Sequence, residues 1–161
     1  MKKYLRKISG EFKVHAKNYI LQCLLATITV FIVLYILTLE NVIIVASMGS
    51  TAFVVFALPK SVSAQARCVI GGNIVGLLCG TVCSLITVTN ELLTLVVYAI
   101  AVGLSIFIMV VIDTEHPPAS GLALGVAISG YSLKIAVTVI TFSLLLSAVH
   151  VIFKDRIRNL V

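Results

Sequence analysis

The chain has 161 residues, 60% of them hydrophobic and 11% charged, with a mean hydropathy of +1.18. These values lie far outside soluble-domain averages, so they exclude a soluble enzyme as the broad class and point to an integral membrane protein. The net charge of +6 is explained by membrane topology and carries no implication of nucleic-acid binding.

The first seventeen residues hold Lys2, Lys3, Arg6, Lys7, Lys13 and Lys17. They read as a basic cytoplasmic arm lying along anionic headgroups, an attraction worth about 1 kcal/mol per basic side chain. The adjoining apolar run, 18–39, exceeds the apolar core of a cleaved signal peptide, about 7 to 15 residues. The arm is therefore expected to be retained.

Between Lys17 and Lys154 the charged residues are Glu40, Lys60, Arg67, Glu91, Asp113, Glu115 and Lys134, and they delimit six uncharged stretches. The stretches are 18–39, 41–59, 68–90, 92–112, 116–133 and 135–153. Crossing the hydrocarbon takes about 20 apolar residues in a helix. The first, third, fourth and sixth stretches read as spans, and the second and fifth as marginal, the second because a helix from Ser47 to Pro59 is too short to cross. The expected fold is an all-α bundle of four long transmembrane helices plus two short broken or re-entrant segments. It forms one transmembrane domain, 18–153, followed by a basic cytoplasmic tail, 154–161, with Lys154, Arg156 and Arg158.

Lysine and arginine concentrate on the cytoplasmic side of short loops and helix ends. With six crossings both termini and the Lys60–Arg67 loop are inside, and of the 12 basic residues Lys134 alone lies outside. With four crossings, the short segments dipping in and returning, Lys60 and Arg67 join Lys134 outside. Six crossings are preferred.

The two halves run in parallel, each with a long apolar stretch ending in acid (Glu40; Asp113 and Glu115), a short segment opening on small residues, then another long stretch. The openings are "ASMGST", Ala46 to Thr51, and "ASG", Ala119 to Gly121. With six crossings this predicts an inverted 3+3 repeat of the kind transporters use. In "DTEHPPASG" the residue before each proline is driven out of helical dihedrals, and a proline is well placed at a first helical position, so a helix is expected to start near Pro117 or Pro118. In the other half Val42 to Val45 can sit extended, with Ser47 as N-cap.

A helix N-terminus in a membrane gathers unpaired N–H donors and about half a positive charge, which suits an anion. The expected substrate site is therefore Ser47, Gly49, Ser50 and Thr51 opposite His116, Pro117, Pro118, Ala119, Ser120 and Gly121, with Arg67 nearby. Asp113, Glu115 and His116 are the candidates for carrying a proton, since burial favours the neutral form of either acid. His150 reads as an interface residue. In the third stretch Cys68, Gly72, Gly76, Gly80 and Ser84 recur every four residues. That spacing lets helices approach closely and marks the helix as central or as a homo-oligomer interface. Cys23, Cys68, Cys79 and Cys83 read as small packing residues, with no metal, cofactor or disulfide framework expected.

"ASMGSTAFVVFALP", then "SAQARCVIGGN", then "EHPPASG" together resemble the HPP family of small integral membrane proteins, named for the motif that is here His116, Pro117 and Pro118. The resemblance covers about residues 18 to 153. It implies four transmembrane helices and, from members linked to nitrite transport, a transporter of a small inorganic anion, nitrite first. Ala66 and Asn73 stand where relatives often have proline and histidine. The expectation is a transporter in the plasma membrane with both termini cytoplasmic, partnered by lipid and anion. The alternative is a non-transporting sensor or partner subunit; an intramembrane enzyme ranks lower, for want of a second ligand cluster or an activated nucleophile.

Overall fold

The computed structural model describes the backbone of residues 2–37 and 42–160 and the side chains of 15–32, 35 and 46–160. Glu40, the acid expected to end the first long stretch, lies outside the described residues. All regular structure among the described residues is helical. In chain order it comprises α1 (Lys2–Leu37), α2 (Val42–Ala57), a 3₁₀ turn (Val62–Ala64), α3 (Ala66–Ser84), α4 (Glu91–Val111), α5 (Pro117–Ser129) and α6 (Leu133–Phe153). Among the described residues, α3, α4 and α6 are long and apolar enough to cross a membrane. At 13 residues α5 reaches only about 20 Å, short of a hydrocarbon core about 30 Å thick. The basic arm joins the first apolar stretch without a break, since α1 is one helix from Lys2 onward.

The α3 helix is the axis of the bundle. Over half of its apolar window is buried, against 17% for α4, whose Leu92, Leu95, Phe107 and Val111 face outward, as lipid-facing side chains do. The main core joins α2, α3, α5 and α6 through Met48, Phe56, Val69, Leu122, Phe142 and Leu146. The glycine stripe explains how α5 fits there. A Cβ on Gly76 would overlap the Ala119 carbonyl, and one on Gly80 would sit 2.5 Å from the Ala123 carbonyl. Only glycine leaves room for that backbone. The stripe is thus central, and α5 of the same chain covers the Gly72, Gly76, Gly80 face that was the candidate oligomer interface.

The N-terminal part of α1 and the tail after α6 meet at one end of the bundle. The tail folds back as a strap: Leu160 N–H donates to the Ala57 carbonyl at 2.9 Å, Lys60 N–H to Asn159 Oδ1 at 3.0 Å, and Tyr19 Oη to the Leu160 carbonyl at 2.9 Å. Gln22, fully buried, donates to the carbonyls of Phe56 and Arg158 and accepts from Arg158 N–H. The last carbonyls of α2, which have no partner within their own helix, are satisfied in this way, and the strap's own Ile157 is buried at 3% exposure. Arg67 and Asp113 sit at this same end, while Lys134, in the first turn of α6, lies at the other. His150 belongs to the interior: it is 9% exposed and its Nε2 donates to the Pro59 carbonyl at 2.9 Å.

Candidate functional site

The chain leaves α4 by a sharp turn and re-enters the bundle as an extended leg. Thr114 N–H closes α4 on the Met109 carbonyl at 2.9 Å, and Asp113 turns the chain at φ 57°, a left-handed conformation aspartate tolerates better than most residues. Arg67, second residue of α3, holds that turn: its guanidinium donates to the Asp113 carbonyl at 2.9 Å and pairs with the Asp113 carboxylate, while its Nε donates to Gln65. Both side chains of the pair are at least half exposed. Thr114 then packs on Gly71, and His116 on Gly72, where a Cβ would come within 2.6 Å of the His116 Cβ.

His116 is the N-cap of α5, with φ −135° and ψ 92°, and Pro117 and Pro118 open the helix as the sequence predicted. The position is recessed. Gly72 lies six residues into α3, and Ser47, whose hydroxyl donates to the Pro118 carbonyl at 2.7 Å, lies ten residues before the end of α2. At 1.5 Å per residue the start of α5 is about 9 to 15 Å below that end of the bundle. There the His116 imidazole is completely buried, with Nδ1 2.9 Å from the Ser63 carbonyl and Nε2 3.0 Å from Thr51 Oγ1. Thr51 Oγ1 also lies 3.1 Å from the Ser47 carbonyl.

Two expectations change. First, α2 is helical from Val42, so Ser47 is not an N-cap; the backbone of Val42 to Val45 is not extended. The start of α5 therefore meets the side of α2, not a second helix end. In apolar surroundings a continuous helix satisfies its own backbone, and glycine and serine alone do not outweigh that. Second, α5 offers few of the donors expected of a helix start. Pro117 and Pro118 have no N–H, and Ala119 N–H donates to the His116 carbonyl at 2.8 Å. The positive end of the helix dipole remains.

The other predicted residues fall around this point. Ser47 and Thr51 are buried against α5, Gly49 and Ser50 are exposed, Gly121 is half-buried, and the Ser120 hydroxyl donates within α5 to Pro117. Glu115 is half-buried on the leg. The burial that a proton carrier requires is found at His116 and not at Asp113, which is exposed and paired. Sequence reasoning missed Ser63, whose contribution is a backbone carbonyl without a side-chain signature, and Thr114, whose hydroxyl is buried with no hydrogen-bond partner. Among the described residues no three His, Cys, Asp or Glu side chains gather as a metal site. Beyond the far end of α5 a cavity of 340 Å³ opens between Thr87, Thr94, Tyr98 and Ser129.

Long apolar helices around a short one that starts at depth define a multi-pass integral membrane protein. A family model described as HPP, transmembrane region, matches residues 11–159, and the chain belongs to the HPP family. Searches of curated proteins and of solved structures give no match.

Proposed function

We propose that the protein is a membrane transporter of a small inorganic anion, nitrite first, coupled to proton movement. The observation that carries this reading is the recessed start of α5: a helix dipole with its positive end inside the bundle, beside a fully buried histidine. In a water-poor site that end favours an anion electrostatically. Because the prolines remove directional N–H donors, the Ser50 and Ser120 hydroxyls supply them, Ser120 by turning from the Pro117 carbonyl; Ser47, Thr51 and His116 wall the approach, with Gly49, Ala119 and Gly121 leaving room. Arg67 at the mouth draws the anion in, exchanging its Asp113 partner for the substrate. The cavity at the opposite end of α5 serves as the second vestibule.

On this reading α1 adds a fourth long span, the halves α1–α3 and α4–α6 form an inverted repeat, and the protein sits in the plasma membrane. The end carrying both termini, Lys60 and Arg67 faces the cytoplasm, as basic loop residues favour. Glu115 and His116 are the proton carriers.

The test is nitrite uptake into proteoliposomes by the purified protein. The reading expects saturable uptake, lost in Ser120→Leu and Ser50→Leu proteins that insert normally. Absence of flux from correctly folded wild-type protein, or full flux in both variants, contradicts it.

A further inference from the structure

The Thr51 hydroxyl has one hydrogen and two acceptors within reach. One is the Ser47 carbonyl at 3.1 Å, the ordinary bond of a helical threonine to the residue four before it; the other is His116 Nε2 at 3.0 Å. The other imidazole nitrogen is fixed, because the Ser63 carbonyl can only accept, so Nδ1 carries a hydrogen in every protonation state. Only Nε2 is free to change. We infer that Thr51 and His116 form a one-proton relay: a proton taken up at His116 Nε2 reverses the Thr51 hydroxyl, which turns from the imidazole to the Ser47 carbonyl.

In the neutral state the Thr51 O–H donates to the Nε2 lone pair, and the Ser47 carbonyl receives only the helix's own backbone N–H, not the Thr51 hydroxyl. When a proton from water adds to Nε2, an N–H bond forms and no other covalent bond changes. Nε2–H donates to Thr51 Oγ1, Thr51 O–H donates to the Ser47 carbonyl, and Nδ1–H continues to donate to Ser63. The charged state thus satisfies both Thr51 contacts at once, and the neutral state only one. Both groups are enclosed: Thr51 is 1% exposed, His116 is fully buried, and the His116 Cβ packs on Gly72.

The charged and titratable groups on the surrounding elements are Asp113 and Glu115 on the leg, Lys60 before the 3₁₀ turn, and Arg67, Cys68, Cys79 and Cys83 on α3; the described side chains of α2, and all of α5 and α4 apart from Glu91 and Tyr98 at its far end, add none. Asp113 is already engaged by Arg67. Among the described residues the imidazole nitrogens meet the Thr51 hydroxyl and the Ser63 carbonyl and no carboxylate, neither Asp113 nor the neighbouring Glu115, and an anion at the start of α5 would supply a counter-charge. This last step rests on the proposed function; the relay itself does not.

The experiment is a pH titration by ¹⁵N NMR of histidine-labelled protein in nanodiscs, with His116 assigned through His15→Gln and His150→Gln variants. The relay expects neutral His116 to carry its hydrogen on Nδ1. It also expects Thr51→Val, which keeps the shape and removes the hydroxyl, to lower the His116 midpoint by about one pH unit, since the hydrogen bond lost from the charged ring is worth about twice the one lost from the neutral ring. Thr51→Ser should restore it. An Nε2–H neutral form, or equal midpoints in wild type and Thr51→Val, overturns the relay. Sodium nitrite, with sodium chloride matched for ionic strength, should raise the midpoint. If Thr51→Val shifts the midpoint and nitrite does not, the relay stands and the anion reading fails.

Discussion

The two short helices, α2 and α5, carry a stretch of nearly the same kinds of residue and fold differently around it. Ala46 to Thr51 and Ala119 to Gly121 both combine alanine, serine and glycine, yet α2 runs unbroken through its stretch and α5 begins just before its own. The difference lies in Pro117 and Pro118. Glycine and serine each weaken a helix by no more than about 1 kcal/mol relative to alanine. An unpaired backbone group in hydrocarbon costs several times that, so a helix continues through small residues unless its geometry is blocked. Two adjacent prolines block it by removing donors and forcing His116 into an extended conformation. A break at membrane depth is written in backbone chemistry, and small side chains only make room around it.

The strongest way to break the comparison is to deny α5 its seat. Gly76→Leu places a side chain where the Ala119 carbonyl already lies, and we expect loss of folded, monodisperse protein in detergent. The equivalent change at Gly103, with open space around it, should be tolerated. If both behave alike in size-exclusion chromatography, the stripe does not position α5. Removing the strap from Arg156 onward takes away the buried Ile157 and uncovers the last carbonyls of α2. It should cost about 3 kcal/mol, from one buried isoleucine and one or two backbone hydrogen bonds, seen as a lower thermal midpoint and faster proteolysis after Ala57.

Smaller effects separate the two helices residue by residue. Ser47→Ala removes the buried hydroxyl bond from α2 to the Pro118 carbonyl and should cost about 1 kcal/mol, whereas Ser120→Ala, whose hydroxyl bonds only within α5, should fall within about 0.5 kcal/mol of wild type. Equal losses in thermal unfolding would mean that Ser47 does not tie α2 to α5. A methyl group placed on Gly49 would meet nothing within 4 Å. Because Gly49 lies inside a continuous helix, Gly49→Ala should stabilise by up to about 1 kcal/mol. Destabilisation there would restore a break in α2.

Much of this arrangement can be read from the residues themselves. The prolines marked the start of α5, the four-residue spacing of Gly72, Gly76 and Gly80 marked a tight helix contact, and the clustering of lysine and arginine grouped both termini with Lys60 and Arg67 at one end. What could not be read has a common physical cause: its partners are backbone carbonyls. His116 meets Ser63, His150 meets Pro59, and Gln22 meets Phe56 and Arg158 through main-chain oxygens, which every residue carries. Gln22, an amide in an apolar run, was the one available sign of the strap. The continuity of α2 was hidden for the opposite reason, because small polar residues suggest a break they are too weak to cause.

On the proposed reading the recessed start of α5 moves an anion together with a proton. Moving one negative charge against an inside-negative potential costs about 2.3 kcal/mol per 100 mV, and one accompanying proton removes that cost. The most direct measurement is nitrite uptake into proteoliposomes holding a pH gradient with the membrane voltage clamped near zero. The account predicts uptake driven by the gradient, with His116→Ala losing gradient-driven uptake more than equilibrium exchange of labelled nitrite. Uptake indifferent to the gradient that follows an imposed voltage as a single negative charge would contradict it.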